Sequence, residues 1–139
     1  MAFKVFLDVN LILDFTLQRD GYPAGKTIIS WAEEGKINGF VSPTVVQICS
    51  YWISKAYGAA KAKEIMATLL TFTRSVDTPH EAVLTALHSS IHDVEDALLY
   101  YTAMHHGMTH IISRDVAFQK AALPSLPVIS PTAFIQLIS

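Results

Sequence analysis

A second cysteine is missing from this chain. Cys49 stands alone, so no disulfide can close within the molecule, and a reducing cytosol suits it. It lies in an apolar, helix-patterned stretch, which reads as packing rather than as a nucleophile. An excess of basic residues is missing too. The 10 Lys and Arg against 12 Asp and Glu leave a formal charge of −2, so no basic stripe announces a polyanionic partner. A bound divalent cation reverses that sign locally, so the charge alone does not exclude nucleic acid. Long apolar runs fail as well. Residues 37–54 carry no charge, but Asn38, Gly39, Ser42, Pro43, Thr44, Gln47 and Ser50 make them too polar to span a membrane. The N-terminal apolar run is broken by Asp8 and Asp14 and lacks a small-residue cleavage site. A soluble, cytoplasmic protein with no membrane partner is the expectation. There is no glycine-rich phosphate loop and no serine elbow, and His80, His88, His92 and His110 lack metal-ligand spacing.

What is present is apolar. Hydrophobic residues make up 51% of 139 residues, and the mean hydropathy is +0.35. Such a chain builds one domain, 1–139, with a thick core or with apolar surface covered by a partner. No repeat, linker or low-complexity stretch divides it.

The chain alternates strand and helix signals. Phe3-Lys4-Val5-Phe6-Leu7 is a short, nearly continuous apolar run, as expected of a central parallel strand buried on both faces. A helix over 10–17 opens from its end, Asp20-Gly21-Tyr22-Pro23 reads as a turn, and a second helix over 24–34 closes at Gly35. A strand over 38–41 is followed by Ser42-Pro43, a cap with proline at the first helical position, and a helix to Tyr57 that stops at Gly58. Ile65, Leu69 and Phe72 give the next helix, over 59–72, its apolar face. A short strand over 74–76 follows, and Thr78-Pro79 repeats the cap signal before a helix to Leu87. Then come a helix from His92 to Gly107, a strand over 110–113, a strand over 127–129 and a last helix over 131–138. This alternation predicts an α/β fold of three layers, α/β/α, around a parallel sheet.

Chemistry concentrates in the acids. Asp8 follows the first strand and Asp115 the fourth, which puts both at the carboxyl edge of the sheet, where such folds bind ligands. Asp93 and Asp96 stand three apart at a helix start. Carboxylates converging in one cleft repel one another unless a cation neutralises them, and hard oxygen donors suit Mg²⁺ or Mn²⁺. Each acid also has a structural reading: Asp8 as a helix cap, and Asp93 with Asp96 as a cap and a first-turn acid favoured by the helix dipole. Glu95 points to a different face from Asp96 and is a candidate to hold Arg114 or a backbone group. Asp14, Asp20 and Asp77 read as surface or turn acids. His105 and His106 end a helix, where cationic side chains are favoured.

Three pieces of the chain together resemble the PIN-domain family and, within it, the VapC-like toxins. They are Leu7-Asp8-Val9-Asn10-Leu11-Ile12-Leu13-Asp14, Asp93-Val94-Glu95-Asp96-Ala97-Leu98, and Ile111-Ile112-Ser113-Arg114-Asp115-Val116-Ala117-Phe118. Leu126-Pro127-Val128-Ile129-Ser130-Pro131 resembles the usual closing strand and helix. The resemblance implies a five-stranded parallel sheet flanked by helices and Mg²⁺- or Mn²⁺-dependent endoribonuclease cleavage of RNA. By position it implies Asp8, Asp96 and Asp115 as the acidic metal-site residues, with Asn10 and Ser113 as polar support. It implies an antitoxin partner and a homodimer. The family usually places a glutamate in the helix after the second strand, and here that place is taken by Gln47, with Glu95 or Asp93 left to compensate. A non-catalytic PIN scaffold that binds RNA or protein is the alternative. A phosphotransfer domain fits less well, because Asn10 replaces the second aspartate of the dehalogenase-like phosphatases and no lysine ends the last strand as in receivers.

Overall fold

Val5, Phe6 and Leu7 have no exposed surface, and a strand buried this completely needs neighbours on both edges and helices on both faces. The computed structural model, which describes residues 3–139, supplies them. The strand β1 (Lys4–Leu7) lies between β2 (Asn38–Val41) and β4 (His110–Ile112), with β3 (Thr73–Ser75) and β5 (Val128–Ile129) outside them. All four pairings are parallel, and Phe6 sits in register with Phe40 on one side and Ile111 on the other. The order β3-β2-β1-β4-β5 is the five-stranded sheet that was expected. After β1 the chain moves to one side of it, and β4 returns on the other. The carboxyl ends of β1 and β4 therefore flank a topological switch point, where parallel sheets leave a crevice.

Eight helices flank the sheet among the described residues: α1 (Val9–Thr16), α2 (Tyr22–Glu33), α3 (Pro43–Tyr57), α4 (Ala59–Leu69), α5 (His80–His88), α6 (Val94–His105), α7 (Val116–Ala121) and α8 (Pro131–Ile138). α1 packs on α2 and α3, α3 on α4, α5 on α6, and α2 on α8. The Ser42-Pro43 cap acts as read, and Ser130-Pro131 repeats its geometry. The Ser42 hydroxyl accepts from the Val45 N–H ahead of Pro43, and Ser130 accepts from Ala133 ahead of Pro131. Gly35 and Gly58, at φ of 80° and 92°, end the helices before them in a conformation that glycine adopts without strain. None of these helices is long and apolar enough to cross a membrane.

Three local expectations are corrected. α2 begins at Tyr22 rather than 24, because Pro23 is accommodated in the first helical turn, where its missing N–H is not needed. Thr78 does not cap α5: its hydroxyl pairs instead with that of Thr102 on α6, at 2.6 Å. The six-residue α7 was not foreseen, since so short a helix shows no periodicity.

Tyr100 closes the far side of this architecture. Its fully buried hydroxyl donates to the Leu126 carbonyl at 2.8 Å and accepts from the Leu123 N–H at 2.8 Å, pinning the α7–β5 connection to α6. Tyr100→Phe leaves both backbone groups without their partner, and equilibrium urea unfolding should show a loss of about 1–3 kcal/mol.

Candidate active site

Asp8 is built in from three directions. Its backbone N–H reaches the Ile112 carbonyl at 3.3 Å, extending the β1–β4 ladder by one step. Its Oδ1 accepts from the Val9 N–H at 2.7 Å, so it does cap α1. Its Oδ2 accepts from the Ser113 hydroxyl at 2.7 Å. Only 4% of Asp8 is exposed. Burial therefore raises its pKa; the Ser113 and Val9 hydrogen bonds pull it back, and the charges of Asp115 and Asp93 push it further up.

Ser113 is the joint between Asp8 and the next acid. Its hydroxyl accepts from the Asp115 N–H at 3.2 Å, and its carbonyl is held by the Gln119 side-chain amide at 2.8 Å. Asp115 caps α7, accepting from Ala117 and Phe118 N–H groups. Asp93 caps α6 in the same way, accepting from the Asp96 N–H at 3.0 Å. Capping and clustering coexist here, because a cap residue occupies one face of its carboxylate and leaves the other free. Asp96 is perturbed as well. Its pKa is pushed up to about 7, first by burial, then by the charges of Asp93, Asp8, Asp115 and Glu95. Glu95 is raised as well, by burial and by Asp93 and Asp8.

Among the described residues, no Lys, Arg or His pairs with any of these five acids; the ion pairs use Asp14, Glu64 and Asp77 instead. That leaves negative charge with no protein partner and an all-oxygen donor set, which fits a hard divalent cation. No three His, Cys, Asp or Glu side chains among the described residues form a ready-made cage. An ion held by so few side chains would keep several waters, as Mg²⁺ does.

Four of the five acids line two clefts, and buried Asp8 lies behind their walls. Asp93, Asp96 and Asp115 line one, of about 350 Å³, with His92 and Phe118. Glu95 lines the other, of about 340 Å³, with Asn10, Arg19, Ile48 and Trp52. A further cleft, of about 460 Å³, lies away from these five acids between α2 and α4, walled by Phe15, Tyr22, Ile29, Ile65 and Phe72.

Some expected neighbours stand elsewhere. Gln47 is exposed on α3 and lines neither acidic cleft, whereas Ile48, turned by about 100° from it, looks into the cleft beside Glu95. Arg114 does not pair with Glu95. It reaches Asp14, at 3.1 Å from Oδ2. Asp14 is no surface acid, being only 2% exposed. Its other oxygen takes Nε of Arg19 at 3.0 Å, and the same guanidinium donates to Asn10 Oδ1 at 3.0 Å. The signal for Asp14 was its spacing of four from Asn10, which puts both on one helix face. Cys49 is buried beside this wall, its thiol pushed up to about 12 by burial and by Asp8 and Glu95, as befits packing. His106 is structural, with Nε2 at 2.8 Å from the Asp77 carbonyl.

Residues 4–117 match the family model described as PIN domain. The chain belongs to the PIN-domain family. Solved structures similar to this PIN domain include the Mycobacterium tuberculosis toxin VapC20, described as cleaving the sarcin–ricin loop, at a TM-score of 0.69 and 16% identity over 88% of this chain and 98% of that one. A toxin–antitoxin complex from Klebsiella pneumoniae is similar at a TM-score of 0.67 and 19% identity, covering 91% and 97%. VapBC2 from Rickettsia felis, crystallised with a fragment of promoter DNA, is similar at 0.66 and 14%, covering 89% and 96%. At these identities the likeness is one of fold. No curated protein sequence matches the chain.

The raised pKa of Asp96 has a stability consequence of definite sign. Unfolded, the carboxyl ionises near 3.8; folded, near about 7. Between those values the folded chain holds the proton that the unfolded chain has released. The metal-free PIN domain should therefore lose stability as pH rises from about 4 to about 7 and level off above, with Asp8 and Glu95 adding to the same trend. Asp96→Asn should flatten the decline, as read by urea unfolding in chelator across that range.

Proposed function

We propose that this PIN domain is a Mg²⁺- or Mn²⁺-dependent endoribonuclease and the toxin of a toxin–antitoxin pair, working in the cytoplasm. The observation that carries the reading is the set of five carboxylates, buried Asp8 with Asp93, Glu95, Asp96 and Asp115, that no cation pairs among the described residues, with Asp96 driven up to about 7. Asp8, Asp96 and Asp115 would hold the metal. A bound ion there supplies an activated water and charge stabilisation of the leaving oxygen in phosphodiester cleavage. Ser113 fixes the Asp8 carboxylate and the Asp115 backbone in one orientation, and Asn10 presents its amide at the mouth of the adjoining cleft. Asp93 and Glu95 raise the local negative potential that draws the cation in.

Relatives in fold supply the partner side of the reading. A toxin–antitoxin complex and VapBC2 share the architecture, and VapC20 is a toxin that cleaves the sarcin–ricin loop. The apolar groove between α2 and α4 and the exposed Leu84 and Leu87 on α5 support an antitoxin and a second copy as covers. Light scattering of the purified protein should give a dimer or a larger complex. A weakened, binding-only PIN scaffold remains the second reading. It is favoured by the α3 wall, where the residue facing the acidic cleft is Ile48.

The deciding experiment is cleavage of a mixed single-stranded RNA with Mg²⁺, Mn²⁺ or chelator. Metal-dependent fragments from the wild type, lost in Asp96→Asn with the fold intact by circular dichroism, support the enzyme; RNA bound but uncut in every metal supports the scaffold. Metal at about 100 times its Kd should also stabilise the wild type by about 2.7 kcal/mol in thermal unfolding. Ile48→Glu should lower the Mg²⁺ needed, by adding a carboxylate to the cleft, while Gln47→Glu on the outer face should leave it unchanged.

A further inference from the structure

RNA is a polyanion, and the proposed site presents five acids on a chain whose formal charge is −2. A metal ion answers for the scissile phosphate, but the neighbouring phosphates need positive charge from the protein. One place beside the acids offers it. Asp14, 2% exposed, gives one oxygen to Arg19 and the other to Arg114, at 3.0 and 3.1 Å. Two guanidiniums on one carboxylate leave a net positive charge. Arg19 and Arg114 side chains are 35% and 46% exposed, so water or a ligand reaches both. Arg114 pairs with Asp14 through Nη1, and a guanidinium carries five N–H donors in a fork that matches phosphate oxygens.

The connection between α1 and α2 is shaped to keep this pair in place. The Arg19 N–H donates to the Asp14 carbonyl at 3.1 Å, and Gln18 accepts a φ of 51° to make the bend. A Cβ on Gly21 would stand 2.1 Å from Asp14 Oδ2, so only glycine lets the backbone pass this close to the carboxylate. Arg19 is further tied to Asn10, two residues after Asp8, and Arg114 sits between Ser113 and Asp115. Both guanidiniums are thereby ordered at the rim of the acid cluster before any ligand arrives, which removes an entropic cost of binding. Arg19 also shares its cleft with Trp52, an indole half open to solvent. An arginine beside an exposed aromatic face is the pairing that grips unpaired nucleotides.

We infer that Arg19 and Arg114, held by Asp14, bind the phosphate adjacent to the scissile bond of single-stranded RNA, and that the adjoining cleft takes that nucleotide's base against Trp52. The inference rests on the endoribonuclease reading above. Asp14 is a positioning residue; the arginines are the ones that touch substrate.

The test uses the full chain carrying Asp96→Asn, so that RNA is bound without being cut, and a fluorescent single-stranded RNA of mixed sequence at fixed low Mg²⁺. Anisotropy titrations across a KCl series give the affinity and its salt slope. Arg19→Gln or Arg114→Gln should weaken binding and make the slope shallower, by about 0.7 for one lost phosphate contact. Arg114→Lys should restore the slope, since the charge is kept. Trp52→Ala should weaken binding about tenfold with the slope unchanged. In the otherwise wild-type enzyme the arginine variants should raise KM more than they lower kcat. If the glutamine variants shift only the thermal midpoint, with slope and KM unmoved, the pair is a structural ion cluster and the inference falls. If RNA binding is unaltered but a co-purifying protein partner is lost, the arginines serve that partner's carboxylates and the inference also falls. If the wild type neither binds nor cuts RNA, the endoribonuclease reading fails first and takes this inference with it.

Discussion

Everything at the working edge depends on keeping one carboxylate out of water. Asp8 stands at the end of a strand whose last three residues have no exposed surface, and its two oxygens are held by a backbone N–H and by Ser113. Those bonds do more than orient the group. They fasten the end of β1 to the loop after β4, so the switch point of the sheet is set by the same contacts that prepare the acid. Asp115, Asp93, Asp96 and Glu95 crowd the same charge. Like charges crowded about a buried carboxylate repel one another, and a cation bound there would relieve the repulsion.

Much of this was legible in the order of residues. β2 and α8 fall on their expected bounds, because Ser42-Pro43, Ser130-Pro131 and Gly58 act locally and their physics does not wait for tertiary structure. The acids at strand ends were legible for a topological reason: in a parallel sheet every such position returns to one edge. What escaped needed three dimensions. Asp14 is ordinary as a helical acid until the α1–α2 turn and the β4 loop bring an arginine to each of its oxygens. The α3 wall depends on helical phase, and one residue of register exchanges exposed Gln47 for inward Ile48. Thr78 had every local mark of a cap and was taken by a partner 24 residues away.

On the proposed endoribonuclease reading, the charge distribution lets a mildly acidic chain suit a polyanionic substrate. Positive charge is not spread as a stripe. It is concentrated in a pair of guanidiniums anchored on one buried acid, beside the cluster that a cation would neutralise. Net charge is a poor guide to a surface organised on this scale.

The solitary thiol closes a route of control. Cys49 lies one wall away from the acids, and their field together with its burial holds it protonated up to about 12. Peroxide chemistry begins with a thiolate, so the ladder from sulfenic to sulfonic acid has no first rung here. Control of this protein through its one thiol would need a change in the packing that buries it.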